Sequence, residues 1–476
     1  MDKERRNNLR KVINQCRRIL EEDIEKRLAY YGLMADGTFL ELNELAHLSQ
    51  EDIEIRKKLE LTIEKEKAGG LSIKDAVLRS IRHAAFTFLN RIAALRAMEV
   101  RELIKKESVI RRTKYGGRSL REREIAETLP ELDTYEILKR ALTQAFQEVS
   151  EEIKVLFDIN SEYSIVFPGE RGCREVIKLL SEDVTGEDWK EDDIIGWIYQ
   201  YFNDETRREY RKARRKPEPD DIPVINQFYT PLWIVKALVD NTLGRLWVEM
   251  HPDSKLGEFC SYLVPLKMSA QREIKQVREI KVLDPACGSG HFLVYAFDVL
   301  YRMYKEEEPD VMDSEIPALI LENNLFGIDI DLRAVQLAAL SLYLKAKTCN
   351  PSLKIRKMNL VCADVRISDG NRRLEFIDRF KDDPDLQKIF ATLFEDLSST
   401  YEIGSLLKVR QPFEQLLKGR KKGAQAKFPL SISVQTELSE KGLAGQTSPV
   451  VVPKERTIEE MLEELRLFEK ILSYFT

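Results

Sequence analysis

The sequence has few of the residues that build disulfide frameworks and metal sites. It contains 6 cysteines and 4 histidines in 476 residues, and no two cysteines have the CxxC spacing. Disulfide-rich secreted domains and zinc sites need closer groups of these residues. We therefore expect reduced thiols and no bound metal.

Long apolar runs and a dominant charge are also missing. No stretch reaches the roughly 18 consecutive apolar residues of a membrane span. The opening residues, MDKERRNNLRKVINQ, lack the apolar region of a signal peptide, so we expect a cytoplasmic protein. The net charge of −5, with 33% charged residues, excludes a uniformly basic nucleic-acid binder but permits local basic patches.

A helical pattern dominates the first part of the chain. Apolar residues recur at helical spacing in segments such as AAFTFLNRIAALRAMEV, residues 84–100. Prolines and dense charges in RKARRKPEPDDIP, residues 211–223, break this pattern and predict a domain boundary at 217–223. We predict a mainly helical N-terminal domain over residues 1–220.

A different pattern follows this boundary. The short apolar segments IKVLD, LFGID and NLVCAD alternate with helical stretches, which is typical of parallel βαβ units. We predict an α/β domain over residues 224–369, with a Rossmann-like sheet represented by its first three strands. Residues 370–476 are predicted to be a helical extension, with a flexible linker at about 421–455, where Gly, Ser, Thr and Pro accumulate.

The segment DPACGSG, residues 284–290, joins the first predicted strand to a helix beginning at His291. Glycines let the backbone approach a ligand at a helix N-terminus, so this loop predicts a nucleotide-like cofactor. The dinucleotide fingerprint requires a third glycine where Leu293 stands, which disfavours NAD. At the end of the next strand, Asp329 can accept hydrogen bonds from both hydroxyls of a ribose, and Asp331 is the less favoured neighbour.

Four motifs resemble the amino-methyltransferases that use S-adenosylmethionine, specifically the DNA adenine-N6 branch. They are FYTP (228–231), LDPACGSGHFL (283–293), FGIDID (326–331) and CAD (362–364). The resemblance implies that the glycine loop holds the methionine part of S-adenosylmethionine and that the segment before the sheet closes over its carboxylate. It also implies that Asp329 holds the ribose, that Ile330 lies against the adenine and that Asp364 accepts from the adenine amino group. The implied cofactor residues are Tyr229, Thr230, Pro231, Asp284, Pro285, Ala286, Gly288, Ser289, Gly290, Asp329, Ile330 and Asp364.

A closer resemblance covers residues 82–364. The segments GWIYQYFNDE, FYTPLWIVKALVDNTLGRLW and ILENNLFGIDIDLRAVQLAALSLYLKA look like the large adenine methyltransferases of phage-exclusion (BREX, PglX-like) systems and the related Eco57I-type restriction-modification enzymes. This implies a site-specific adenine-N6 methyltransferase that acts on double-stranded DNA in phage defence or restriction-modification.

The 476 residues do not contain the catalytic loop of that family. In the family an Asn-Pro-Pro-Tyr or Phe loop after strand four binds the amino group, and its aromatic ring stacks on the flipped base. The segment NPSL, residues 350–353, precedes strand three and is predicted to be a turn. We therefore assign no catalytic residue. We expect the N-terminal part of a split or truncated enzyme, inactive alone, whose second polypeptide carries this loop and the target-recognition domain.

Other interpretations remain open at this point. The chain could be a non-catalytic cofactor-binding or regulatory subunit that acts through a partner protein, or a methyltransferase for another planar amide such as a protein glutamine. Basic clusters at 111–121, 207–216 and 418–422 are candidate phosphate contacts or solvated faces. His291 is expected to cap its helix, and Cys287 is expected to be a small loop residue without nucleophilic function.

Overall fold

The computed structural model describes residues 1–68, 71–159, 161–213, 229–265, 272–355 and 357–363, together with four later positions. The chain divides into two compact units, Met1–Cys362 and Ala363–Thr476. In the second unit, Ile377, Asp378, Gln387 and Ala391 have helical backbone. The predicted boundary at 217–223, the predicted linker at 421–455 and Asp364 lie outside the described residues.

The N-terminal part is helical, as its periodicity predicts. Several of its helices begin at a side chain that accepts a backbone N–H of the first turn, as Asp2 and Ser72 do. The helices are α1 (Lys3–Tyr30), α2 (Gln50–Ala68), α3 (Ile73–Val100), α4 (Leu120–Thr128), α5 (Thr134–Ser150), α6 (Lys154–Phe157), α7 (Glu170–Glu182), α8 (Gly186–Lys190) and α9 (Ile194–Ala213).

Helix α3 is the centre of this helical region. Every residue from Ala84 to Met98 is buried, and α1 and α2 pack against the helix. A helix that is apolar around most of its circumference is stable in water only inside a core. The segment that showed helical spacing in the sequence is therefore a core helix.

The second part contains a parallel three-stranded sheet in the order β1-β2-β3, which confirms the predicted Rossmann-like fold class. The residue pairs Asp284–Gly327 and Asp329–Cys362 bring the carboxyl ends of the strands to one edge. The predicted turn at Asn350 follows the helix that ends at Cys349. The elements are α10 (Leu232–Val239), α11 (Arg245–Met250), α12 (Leu256–Phe259), β1 (Val282–Asp284), α13 (His291–Glu307), α14 (Ile316–Asn323), β2 (Leu325–Asp329), α15 (Leu332–Cys349) and β3 (Asn359–Cys362).

Helix α15 belongs to two hydrophobic cores. Its residues Leu340 and Leu344 join the core of the N-terminal helices, whereas Leu342 and Ala346 join the core around the sheet. A helix with two buried faces has to be apolar on both of them. The N-terminal helices and the sheet therefore pack against the same helix.

One face of the sheet remains open among the described residues. The strand pairing puts Leu283 and Phe326 side by side, and likewise Ile328 and Val361, all on this face. Leu283 is 56% exposed and Val361 is 58% exposed. Within the described ranges β1 pairs with β2 alone. Parallel sheets are normally covered on both faces, so this surface is suited to packing against further polypeptide.

Two further features concern the thiols and the helices of the described residues. All six cysteines lie in the described ranges, and each of them has a free thiol. In those same ranges, no helix combines the length and the apolar character that crossing a bilayer requires.

Candidate cofactor site

Two acidic side chains lie at the carboxyl ends of β1 and β2. Asp284 accepts a hydrogen bond from the Ala286 amide at 3.2 Å. Asp329 accepts from the Gly288 amide at 2.8 Å and, through its other oxygen, from the Asp331 amide at 2.9 Å. Burial raises the pKa of both carboxyls. Asp329 therefore connects the glycine loop to the end of β2.

The glycine loop uses its two glycines differently. Both have left-handed backbone, with φ of 54° at Gly288 and 81° at Gly290. A methyl group on Gly290 would lie 3.1 Å from Ala338 of α15, so this glycine permits close packing. Apart from its two chain neighbours, no described residue has a heavy atom within 4 Å of a methyl group placed on Gly288. The loop therefore packs against α15 at Gly290 and leaves open space at Gly288.

Asp284 also has an unused oxygen. Its Oδ2 is buried and has no hydrogen-bond partner among the described residues. A buried carboxylate oxygen without a partner is costly, and a cationic group would satisfy it. Together with the open space at Gly288, this oxygen fits the ammonium group of an amino-acid ligand such as the methionine part of S-adenosylmethionine.

Tyr229 and His291 connect the segment before the sheet to the glycine loop. The Tyr229 hydroxyl lies 2.7 Å from His291 Nδ1, and the ring centroids are 4.2 Å apart. The expectation that His291 caps α13 is therefore wrong, because the N-cap residue is Gly290, no side chain caps this helix, and the described partner of the imidazole is Tyr229. Thr230 is half-buried beside Tyr229, and Pro231 is exposed at the start of α10.

The remaining predicted loop residues divide into exposed and buried positions. Pro285 and Ala286 are exposed, Ser289 is buried and Ile330 is half-buried. Cys287 is buried, and burial raises its pKa to about 12, so it is a neutral thiol near pH 7. This agrees with its interpretation as a loop residue without nucleophilic function.

Asp331 has a structural role. Its carboxylate accepts from Arg333 Nε at 3.0 Å, from Arg333 Nη2 at 2.8 Å and from the Tyr199 hydroxyl at 2.7 Å. Burial acts to raise the pKa of Asp331, but the charge and hydrogen bonds of Arg333 dominate and lower it well below the usual range. Neither Arg333 nor Tyr199 was predicted from the sequence as a partner of Asp331. The local signal for the Asp331–Arg333 ion pair is the two-residue spacing between an acid and a base.

The basic cluster at 111–121 is largely neutralised by nearby acids. Arg111 pairs with Glu122, Arg112 pairs with Glu107, and Arg121 lies 2.6 Å from Glu148. In the second cluster Arg207 is buried and bonds Asp204 at 2.6 Å. These contacts favour a structural role over phosphate binding for the cluster at 111–121 and for Arg207. Residues 214–216 and 418–422 lie outside the described residues.

Acidification is expected to destabilise the chain through His291. Burial lowers its pKa to about 4, while Asp193 acts in the opposite direction. Because this value lies below the ordinary value of roughly 6.5, His291 contributes stability above pH about 6.5 that is lost as the pH falls toward 4. The melting temperature of His291→Gln should therefore change less than that of the wild type between about pH 7 and pH 4.5.

The matched control is His47→Gln, because His47 is exposed. Its melting temperature should follow the pH profile of the wild type. Identical profiles for the wild type and His291→Gln would contradict the prediction.

The chain is similar in sequence to known methyltransferases. Residues 266–366 match the family described as MmeI, DNA-methyltransferase domain. The adenine-specific methyltransferase PglX of Lacticaseibacillus casei (strain Zhang) is 31% identical over 393 residues, covering 71% of this chain and 32% of the relative. The resemblance to PglX-like adenine methyltransferases is confirmed.

Two further relatives are also named as methyltransferases. The adenine-specific methyltransferase BrxX of Escherichia coli O9:H4 (strain HS) is 28% identical over 388 residues, covering 72% of this chain and 31% of the relative. A putative type II restriction enzyme and methyltransferase of Methanocaldococcus jannaschii is 28% identical over 173 residues, covering 32% of this chain and 14% of the relative. The chain spans about a third of the length of the PglX and BrxX relatives.

Proposed function

We propose that the chain binds S-adenosylmethionine and is part of an adenine-N6 DNA methyltransferase of a phage-defence or restriction-modification system, acting on double-stranded DNA in the cytoplasm. The observation that carries this proposal is the open glycine loop between Asp284 and Asp329 at the carboxyl edge of the sheet. Relatives named as adenine-specific methyltransferases support it. They give no support to a regulatory subunit or to a glutamine methyltransferase.

The cofactor would supply an activated methyl group. Asp284 Oδ2 is suited to its ammonium group, and the Gly288 backbone leaves space for the amino-acid part. Asp329 is suited to the ribose hydroxyls, because each carboxylate oxygen has two lone pairs and uses one for a backbone amide. Thr230 and Pro231 would close over the carboxylate, and Ile330 would lie against the adenine. Asp364, outside the described residues, would accept from the adenine amino group.

We also propose that a second polypeptide completes the enzyme. The support is the exposed face of the sheet at Leu283 and Val361 and the edge of β1, which is unpaired among the described residues. A further strand beside β1 would cover apolar surface and satisfy the backbone groups of that edge. The groups that bind the target adenine would come from this polypeptide.

Two measurements test these proposals separately. Isothermal titration of the purified chain with S-adenosylmethionine should give saturable binding with one site, and an absence of binding would contradict the cofactor assignment. Transfer of tritiated methyl groups to DNA should require the product of a neighbouring gene. Transfer by the chain alone, at a rate equal to that of the mixture, would contradict the need for a partner.

A further inference from the structure

Helix α9 carries a motif, GWIYQYF, that the cofactor site itself does not explain. Its first residue, Gly196, is buried in the third position of a helix of 20 residues. Glycine is among the least favourable residues inside a helix, because it loses the most backbone freedom on folding. A glycine at this position therefore suggests that another group approaches the helix closely.

That group is the ring of Tyr229. A methyl group placed on Gly196 would overlap this ring, lying 2.7 Å from Cδ2 and 2.8 Å from Cζ. The ring cannot easily move away, because its hydroxyl bonds His291 and its backbone amide donates to Gln200 Oε1 at 2.8 Å. Trp197 lies against the same ring, with centroids 4.8 Å apart. Contacts from α9, together with His291 of α13, thus determine where Tyr229 lies.

The same helix reaches the other side of the candidate site. Tyr199 lies between Gly196 and Gln200 in the sequence and donates to Asp331, two residues beyond Asp329. Residues three and four positions apart lie on one face of a helix, so Gly196, Tyr199 and Gln200 share a face. This face contacts the segment at Tyr229 and the turn after β2.

We infer that Gly196 and Gln200 of α9 are positioning residues for the cofactor site, which hold Tyr229 against His291 at the start of the glycine-loop helix. This inference rests on the proposed function, since the ligand being positioned is S-adenosylmethionine. It assigns the N-terminal helical region a direct part in cofactor affinity. Neither residue is assigned a contact with the ligand.

The test compares S-adenosylmethionine binding by the Gly196→Ala variant of the 476-residue chain with binding by the wild type, using isothermal titration at a temperature at which both are folded. We expect the dissociation constant to rise about tenfold because Tyr229 is displaced, which corresponds to about 1.4 kcal/mol of binding free energy. Gly186→Ala is the matched control, because Gly186 is exposed and its nearest neighbour is 4.0 Å away. This control should bind like the wild type.

A conservative pair and a double variant separate positioning from general stability. Gln200→Glu keeps an acceptor for the Tyr229 amide and should bind within about threefold of the wild type, whereas Gln200→Leu should bind about tenfold more weakly. Introduced into the wild type, Gly196→Ala should lower the melting temperature. Introduced into Tyr229→Ala, it should raise the melting temperature, because the overlapping ring is absent and alanine favours the helix.

The outcomes distinguish this inference from the proposed function. If the wild type binds S-adenosylmethionine and folded Gly196→Ala binds equally well, the positioning role is wrong and the cofactor assignment stands. If Gly196→Ala lowers the melting temperature both in the wild type and in Tyr229→Ala, the idea that Gly196 provides space for the Tyr229 ring is also wrong. If the wild type does not bind at all, the proposed function fails, and the positioning role fails with it.

Discussion

Replacing Asp331 with alanine is expected to lower the free energy of unfolding by about 3–5 kcal/mol, the usual cost of leaving one member of a buried ion pair without its partner. The side chains of Asp331 and Arg333 are 8% and 14% exposed, so water compensates poorly for the lost contact. The change also removes the acceptor of the Tyr199 hydroxyl and the cap of α15, which accepts from the Arg333 amide at 2.9 Å. Urea unfolding followed by circular dichroism measures the effect.

Two controls make this prediction specific. Glu187→Ala breaks a surface pair with Lys190, in which the side chains are 77% and 54% exposed, and should cost about 0.5 kcal/mol or less. The double variant Asp331→Leu/Arg333→Leu removes both charges and should be more stable than Asp331→Ala, because no unpaired charge remains buried. A loss of under about 1 kcal/mol for Asp331→Ala would show that the pair is unimportant for stability.

The strands and the glycine loop were predictable from the sequence because their signals are local. IKVLD, LFGID and NLVCAD are short apolar runs next to helical segments, and each contains a strand of the sheet. The positions of Asp284 and Asp329 follow from this, since the carboxyl ends of neighbouring parallel strands meet at one edge. The exact strand limits depend on hydrogen bonds: β2 coincides with LFGID, whereas β1 and β3 are shorter than IKVLD and NLVCAD.

The contacts of α9 could not be predicted in the same way. Tyr199 and Asp331 are 132 residues apart, and no periodicity connects them. His291 illustrates the same limit, because its place at a helix start suggested a cap, whereas Tyr229, 62 residues earlier, provides its actual partner. Ion pairs in the basic cluster at 111–121 were not predictable either. The pairing of Arg121 with Glu148 depends on how α4 and α5 pack against each other.

Among the substitutions considered, the largest loss of ligand affinity is expected for Asp329→Ala. Asp329→Ala should raise the dissociation constant for S-adenosylmethionine about 100-fold, because it removes a carboxylate that would accept from two ribose hydroxyls. It also removes the acceptor of the Gly288 amide and so loosens the glycine loop. Isothermal titration measures the change, and Asp253→Ala, which removes an exposed acid between α11 and α12, should bind like the wild type.

A ribose-specific comparison shows whether Asp329 acts on the ligand or only on the loop. The wild type should bind S-adenosylhomocysteine about tenfold more tightly than its 2′-deoxy analogue, because one hydrogen bond to a charged acceptor is lost. In Asp329→Ala this difference should disappear, since the acceptor is already gone. If the variant still distinguishes the two ligands by the full factor, the ribose is held elsewhere and Asp329 serves only to anchor Gly288.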